Sequence, residues 1–151
     1  MNIGQILSLK GFQIRDIPHD ASLTKAVQLM VEFGIGSLLV KKADVLLSII
    51  TERDILGAVN KQFDFNKFRV ADVMAKELVT CESRFSVDDA MSLMNKNMTG
   101  KRIRHLPVVD DGVLRGVVSI GDMIHALLNE TKFENSLLKN YIRNWPEQEE
   151  F

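Results

Sequence analysis

A chain of 151 residues is long enough for one compact domain, or for two small ones that share a core. Hydrophobic residues make up 46% and charged residues 26%, a globular balance, and the net charge of −1 supplies no global field for DNA, RNA or an anionic membrane. The single cysteine, Cys81, rules out an internal disulfide, and no apolar run approaches the roughly 20 residues needed to span a bilayer.

In chain order, Ile3-x-x-Ile6-Leu7 has the spacing of a short helical turn. The first residues carry neither a basic region nor a long apolar run, which leads to the expectation of a soluble, cytoplasmic protein. A short strand is expected near 14–17. Ser22 then opens an apolar pattern through Leu23, Ala26, Val27 and Met30, at helical spacing. Apolar, β-branched runs at 37–40 and 45–50 predict two strands covered on both faces. The polar tetrad Thr51-Glu52-Arg53-Asp54 precedes a second helical pattern through Ile55, Leu56 and Val59. Residues 63–69 read as a linker whose phenylalanines Phe63, Phe65 and Phe68 are too apolar to hang free.

The same order then recurs. Val70-x-x-Val73-Met74 repeats the first helical turn, and 79–81 is the place for a short strand. Ser86-Val87-Asp88-Asp89 has the form of a capping box ahead of Ala90, Leu93 and Met94. Strands at 106–109 and 113–120 flank Asp110-Asp111-Gly112, a tight-turn signal, and Ser119-Ile120-Gly121-Asp122 precedes Met123, Ile124 and Leu127. Shifting the first half by 68 positions lays Val40 on Val108, Thr51 on Ser119 and Asp54 on Asp122. Upstream the shift is 64: Ser22 meets Ser86 and Met30 meets Met94, so the second copy has four extra residues between Met94 and Ile103. The organisation is thus copy one at 1–62, the linker, copy two at 70–130, and a helical extension over 131–151 that Pro146 should end.

Each tetrad has two readings. Thr51 or Ser119 as N-cap, with Asp54 or Asp122 three residues on, ties off amide groups at a helix start. The same strand-to-helix junction suits a phosphate, and its carboxylate can accept the hydroxyls of a ribose diol. Two tetrads at equivalent places in two copies, each behind a buried strand, favour the second reading. Ser86 with Asp89 reads as a plain cap.

The basic cluster Lys101, Arg102, Arg104 and His105 offers phosphate neutralisation or a solvated loop edge. Strand alternation points Arg104 and Leu106 one way and His105 and Pro107 the other, and Arg104 is preferred for phosphate because of its bidentate fork. His19, Cys81, His105 and His125 show neither metal-ligand spacing nor a Cys-His enzyme signature, so no metal and no catalytic residue is expected. Gly34-x-Gly36 lacks a third glycine and is no dinucleotide fingerprint.

The runs Leu46-Leu47-Ser48-Ile49-Ile50-Thr51-Glu52-Arg53-Asp54 and Arg104-His105-Leu106-Pro107-Val108-Val109…Gly116-Val117-Val118-Ser119-Ile120-Gly121-Asp122 resemble paired cystathionine β-synthase (CBS) domains, the Bateman module, over about residues 3–130. The second copy is close to the family pattern. The first carries Ser48 where glycine is usual and lacks the counterpart of Pro107. The tail through Leu137, Tyr141 and Ile142 also resembles stand-alone two-repeat members. The resemblance implies an α/β fold of two β-α-β-β-α units related by a pseudo-twofold axis, and a homodimer.

It further implies a regulatory module that binds an adenosine nucleotide, AMP first and ATP, NAD or S-adenosylmethionine otherwise, and that signals to a separate effector protein. Thr51 and Asp54 would hold ribose and phosphate in one cleft, Ser119 and Asp122 in the other. The base would lie against Ile17 and Ser37 in one copy and against Thr80, Cys81, His105 and Pro107 in the other. A silent structural dimerisation unit and a nucleotide-processing enzyme are the competing readings. The closer match and the basic cluster favour the Ser119/Asp122 cleft.

Overall fold

The structure is a computed structural model that describes residues 1–11, 14–95 and 103–143. Eleven elements follow in order: α1 (Ile3–Lys10), β1 (Asp16–Pro18), α2 (Leu23–Phe33), β2 (Ser37–Lys42), β3 (Val45–Thr51), α3 (Glu52–Asn60), α4 (Val70–Val73), α5 (Val87–Asn95), β4 (His105–Asp110), β5 (Val113–Ser119) and α6 (Ile120–Arg143). The α/β alternation and the repeat follow the expectation from sequence. The four extra residues of copy two, with Lys101 and Arg102, lie outside the described residues, as does Pro146.

Copy one forms a three-stranded sheet in the order β1-β2-β3, with β1 parallel and β3 antiparallel to β2. Copy two keeps the β4-β5 hairpin, but the counterpart of β1 shrinks to a single parallel bridge between Cys81 and Val108. Both hairpins shift register at the same place, between Val40 and Lys41 and between Val108 and Val109. Their turns need positive φ. Asp111 (φ 49°) and Gly112 (φ 78°) meet this readily, while in the copy-one turn Ala43 (φ 53°) does so.

The helices start where the side chains cap them. Asn2 accepts from the Gln5 N–H and the Gln5 side chain accepts from the Asn2 N–H, both at 2.9 Å. Ser22 caps α2, which ends at Gly34 in the left-handed region (φ 61°). That cap is the structural role of the first glycine in Gly34-x-Gly36. The helix after β5 and the tail, read separately from sequence, form one continuous α6 of 24 residues.

Two apolar clusters make up the core, and their membership crosses the copies. Ile3, Ile6 and Leu7 of α1 pack with Cys81, Val87, Ala90, Met94, Leu106, Val108, Val118 and Met123 of copy two. Val70 of α4 packs with Ile17, Leu23, Ala26, Leu38, Val40 and Ile50 of copy one. The backbone bonds of this exchange match one for one. Ile3 N–H donates to Phe85 O (2.9 Å) and Gly4 N–H to Ser83 O (2.9 Å); Val70 N–H donates to Ala21 O (2.8 Å) and Ala71 N–H to His19 O (2.9 Å). Each copy therefore completes its core with the helical turn that precedes the other.

Phe63, Phe65 and Phe68 pack against the copy-one cluster, and Phe63 stacks on Phe68 with ring centroids 4.1 Å apart. Their apolar character holds the chain down between α3 and α4.

One position shows how the exchange sets the sequence. A Cβ on Gly116 would lie 3.0 Å from Leu7 Cδ2, so the glycine admits α1 onto β5. Its counterpart is Ser48, which is buried and donates to Ala75 O at 2.5 Å. In copy one the chain after α4 lies along β3 and takes up that hydroxyl, so a serine fits where copy two needs a glycine.

Replacing Leu7 by Ala should cost about 2–5 kcal/mol, the range for a buried leucine. In hydrogen exchange the amides of β4 and β5 should lose protection before those of β2 and β3. Earlier loss in β2 and β3 would contradict the crossed docking.

Candidate functional site

The two tetrads sit where a buried hairpin strand turns into a helix. At the first, Thr51 is the N-cap of α3. Thr51 N–H donates to Asp54 Oδ2 at 2.9 Å, the Thr51 hydroxyl lies 3.1 Å from the same oxygen, and Asp54 N–H reaches Thr51 Oγ1 at 3.4 Å. At the second, Ser119 N–H donates to Asp122 Oδ2 at 2.8 Å and Asp122 N–H donates to Ser119 Oγ at 3.0 Å. Ser86 and Asp89 make a similar pair at the start of α5. Capping thus accounts for part of the chemistry of all three, and the surroundings separate the two tetrads from the third.

Cross-strand pairing places a polar partner beside each hydroxyl residue: Ser37 opposite Thr51, and His105 opposite Ser119. The helix starts are fastened alike, with Glu52 N–H bonded to Gly36 O (3.0 Å) and Ile120 N–H to Arg104 O (2.9 Å). The two junctions approach each other. A Cβ on Gly36 would lie 3.1 Å from Glu52 Oε1 and 3.6 Å from His105 Nε2, so Gly36, Glu52 and His105 meet across the two copies.

The second junction holds a residue that sequence reasoning missed. Lys10, at the end of α1, donates at 2.7 Å to Asp122 Oδ2 and at 2.7 Å to Val117 O. No local pattern marks it, because 112 positions separate it from Asp122; only the crossed docking of α1 brings it there. In copy one the counterpart of the Val117 carbonyl, Ile49 O, is taken by the Ala75 N–H at 3.0 Å, so a neutral amide stands where copy two has an ammonium.

These contacts set the titration of the site. Burial pushes the Asp122 carboxyl up, but the Lys10 ammonium and the Ser119 N–H outweigh it and hold the group below the usual carboxylate range. His105 is half-buried, and burial, then Lys10, lower its pKa below the usual histidine value, with Asp122 and Glu52 opposing. The imidazole is therefore neutral at pH 7.

The other residues singled out from sequence fall into two groups. Thr80 and Arg104 are exposed, while Pro107 is buried in β4. Ile17 and Cys81 are buried in the copy-one and copy-two clusters, at 1% and 2% exposure, as the wall behind each hairpin. Burial, with a contribution from Asp110, pushes the Cys81 thiol up to about 11, which makes it a poor nucleophile at neutral pH. Among the described residues no group of three or more His, Cys, Asp or Glu could hold a metal ion. A separate shallow pocket, lined by Gly4, Leu7, Ser83, Asp110 and Arg115, has its carboxylate already bonded to Ser83 and paired with Arg115.

The lowered His105 pKa has a definite sign. As pH falls through about 6.5, the unfolded chain takes up this proton before the folded one does, so stability drops with acidification. The melting temperature should fall between pH 7 and pH 5.5, and His105→Gln should flatten that slope; parallel slopes would count against the assignment.

The geometry has clear relatives. The CBS domain model matches residues 16–61 and 70–129. The mitochondrial CBS domain-containing protein CBSX3 of Arabidopsis thaliana is 38% identical over 130 residues, which cover 82% of this chain and 61% of that protein. The chain thus spans less than two thirds of that relative. The CBS domain-containing protein YhcV of Bacillus subtilis is 31% identical over 120 residues, covering 79% of this chain and 83% of its own length. A solved structure from Burkholderia ambifaria, described as a putative signal-transduction protein with CBS domains, superposes with a TM-score of 0.79 at 34% identity, over 85% of this chain and 95% of that one. With both copies matched and both hairpin–helix junctions in place, the chain belongs to the CBS domain family and carries a pair of its domains.

Proposed function

We propose that the chain is a regulatory module that binds an adenosine nucleotide at the two junctions and passes its occupancy to a separate effector protein. The observation that carries this reading is the repeated junction itself. Each has a hydroxyl residue, a carboxylate and helix-start amides at the end of a buried hairpin, with the two junctions facing each other through Gly36, Glu52 and His105. A carboxylate there suits a sugar diol, and helix-start amides suit phosphate. AMP is the first choice; ATP, NAD and S-adenosylmethionine present the same ribose. Signalling follows because each junction is assembled from both copies, so a ligand that favours one arrangement of the copies shifts the population towards it. The module acts by binding rather than by catalysis, and chromatography of nucleotides incubated with the protein should show no turnover.

The module pairs with a second copy. Equivalent helix positions in the two copies expose apolar side chains, Leu56 and Val59 on α3 and Ile124 and Leu127 on α6, and Leu137, Leu138 and Ile142 extend the apolar surface along α6. Tyr141, which belongs to the same stripe in the sequence, has a side chain outside the described residues. Sedimentation should give a dimer, and Leu56→Glu with Ile124→Glu should give a monomer.

Calorimetry on the purified chain decides the ligand reading. It should show micromolar binding of at least one of AMP, ATP, NAD or S-adenosylmethionine, and Asp122→Ala should weaken it by about tenfold or more, the scale of a lost charged hydrogen bond. The variant also loses a cap, which should cost about 1 kcal/mol of stability. No heat with any of the four, and no rise in melting temperature, would leave a silent structural unit as the better account.

A further inference from the structure

We propose that His105 and Glu52, which meet over the bare face of Gly36, form a proton-responsive link between the two copies, closed by a proton on the imidazole and opened by its loss; the effect of this link on a ligand rests on nucleotide binding at the junctions. The two side chains come from different copies. His105 opens β4 and pairs across its hairpin with Ser119, at the second junction. Glu52 is the first residue of α3, and its N–H is bonded to Gly36 O (3.0 Å) at the first junction. Both reach the same point above Gly36, where a Cβ would lie 3.1 Å from Glu52 Oε1 and 3.6 Å from His105 Nε2. A protonated imidazole carries a hydrogen on both ring nitrogens, so Nε2 then has a donor for the Glu52 carboxylate and a charge to strengthen the bond.

Among the described residues four charged groups act on this imidazole: Lys10 of α1, Glu52 of α3, Asp122 of α6 and Arg104 just before β4. Burial opposes the proton most, followed by Lys10, and Arg104 adds to them; Asp122 and Glu52 favour it. The opposition prevails, so the link is open at pH 7 and closes as the medium is acidified. Closing it adds a positive charge where the two junctions face each other. An anion bound at either junction helps to hold that proton, and by reciprocity the proton tightens the anion. An uncharged nucleoside gains no such help.

Gly36 is what lets the carboxylate sit so close. A Cβ at 3.1 Å from Glu52 Oε1 is tighter than an ordinary contact, so an alanine would move the carboxylate aside, while 3.6 Å from the ring is an ordinary contact. Gly36 is not among the glycines with positive φ, so alanine takes its backbone without strain. The atom that must give way is the far end of a flexible, exposed side chain, so Gly36→Ala displaces Glu52 without unfolding the chain.

The test is an NMR titration of the His105 imidazole in the full chain, its signal assigned by its loss in His105→Gln. Glu52→Gln and Gly36→Ala should each shift the midpoint to lower pH, and Lys10→Met should shift it to higher pH. Saturating AMP should shift the wild-type midpoint to higher pH, and by more than adenosine does. AMP affinity by calorimetry should rise on acidification from pH 7.5 to pH 6 by about threefold more in the wild-type chain than in His105→Gln, a comparison in which the titration of AMP itself cancels. A midpoint unmoved in Glu52→Gln overturns the link. AMP bound with no shift of the wild-type midpoint overturns its effect on the ligand. A chain that binds no adenosine nucleotide, yet shows the shifts in Glu52→Gln and Gly36→Ala, overturns the function and leaves the link standing.

Discussion

The crossed docking of α1 and α4 is the constraint on which the rest of the molecule depends. Neither copy closes its own core. Copy two lacks a full counterpart of β1 and is completed by Ile3, Ile6 and Leu7, which are almost wholly buried. Burial of three such side chains is worth about 1.5–3 kcal/mol each, a large share of the stability of a small domain. The matched backbone bonds at Phe85, Ser83, Ala21 and His19 add direction to that apolar term, because each helical turn can dock in one register only. The two copies are in this way one cooperative body rather than two beads joined by a linker.

That exchange also distributes charge. Because α1 runs across β5 before it ends, its last residue delivers an ammonium to the carboxylate of the other copy. The chain after α4 lies differently: Ala75 bonds to Ile49 O and Ser48 bonds to Ala75 O, so backbone fills the equivalent place. Two junctions with the same tetrad therefore differ in what meets the strand carbonyl, an ammonium at Val117 O and a backbone amide at Ile49 O. The difference comes from what docks on the strand, not from the tetrad. The exposed faces of α3 and α6 lie outside this core, on the helices that each junction starts.

Much of this was legible in the sequence. The tetrads announced themselves through local spacing, since a cap and its N3 partner are three residues apart on any helix. The strands were legible from apolar, β-branched runs such as 45–50, though coverage on both faces holds only for 48–50, while Val45 at the turn end is exposed. The Asp110-Asp111-Gly112 turn was readable from its demand for positive φ, while Ala43 meets the same demand with no special residue to show it. Arg104 was preferred for phosphate on chemistry, yet its side chain is exposed and it is Lys10 that bonds to Asp122, with His105 close enough to feel both. Arg104 lies just before β4, outside the strand to which the alternation rule applies, and alternation alone does not say which face meets a partner.

The sequence by itself determined the duplication, the α/β alternation, the position of the tetrads and the inequality of the copies, because each is written in local periodicity or in the match of one half to the other. Only the tertiary structure decided which core each helical turn completes, and so which cation reaches which carboxylate. Lys10 and Asp122 are 112 positions apart, and nothing in the spacing of either segment records their pairing. The physical reason is that a helical turn carries enough apolar surface to dock on either copy. The choice between them is made by register bonds and by a missing side chain at Gly116, which acquire meaning only once the strands are in place.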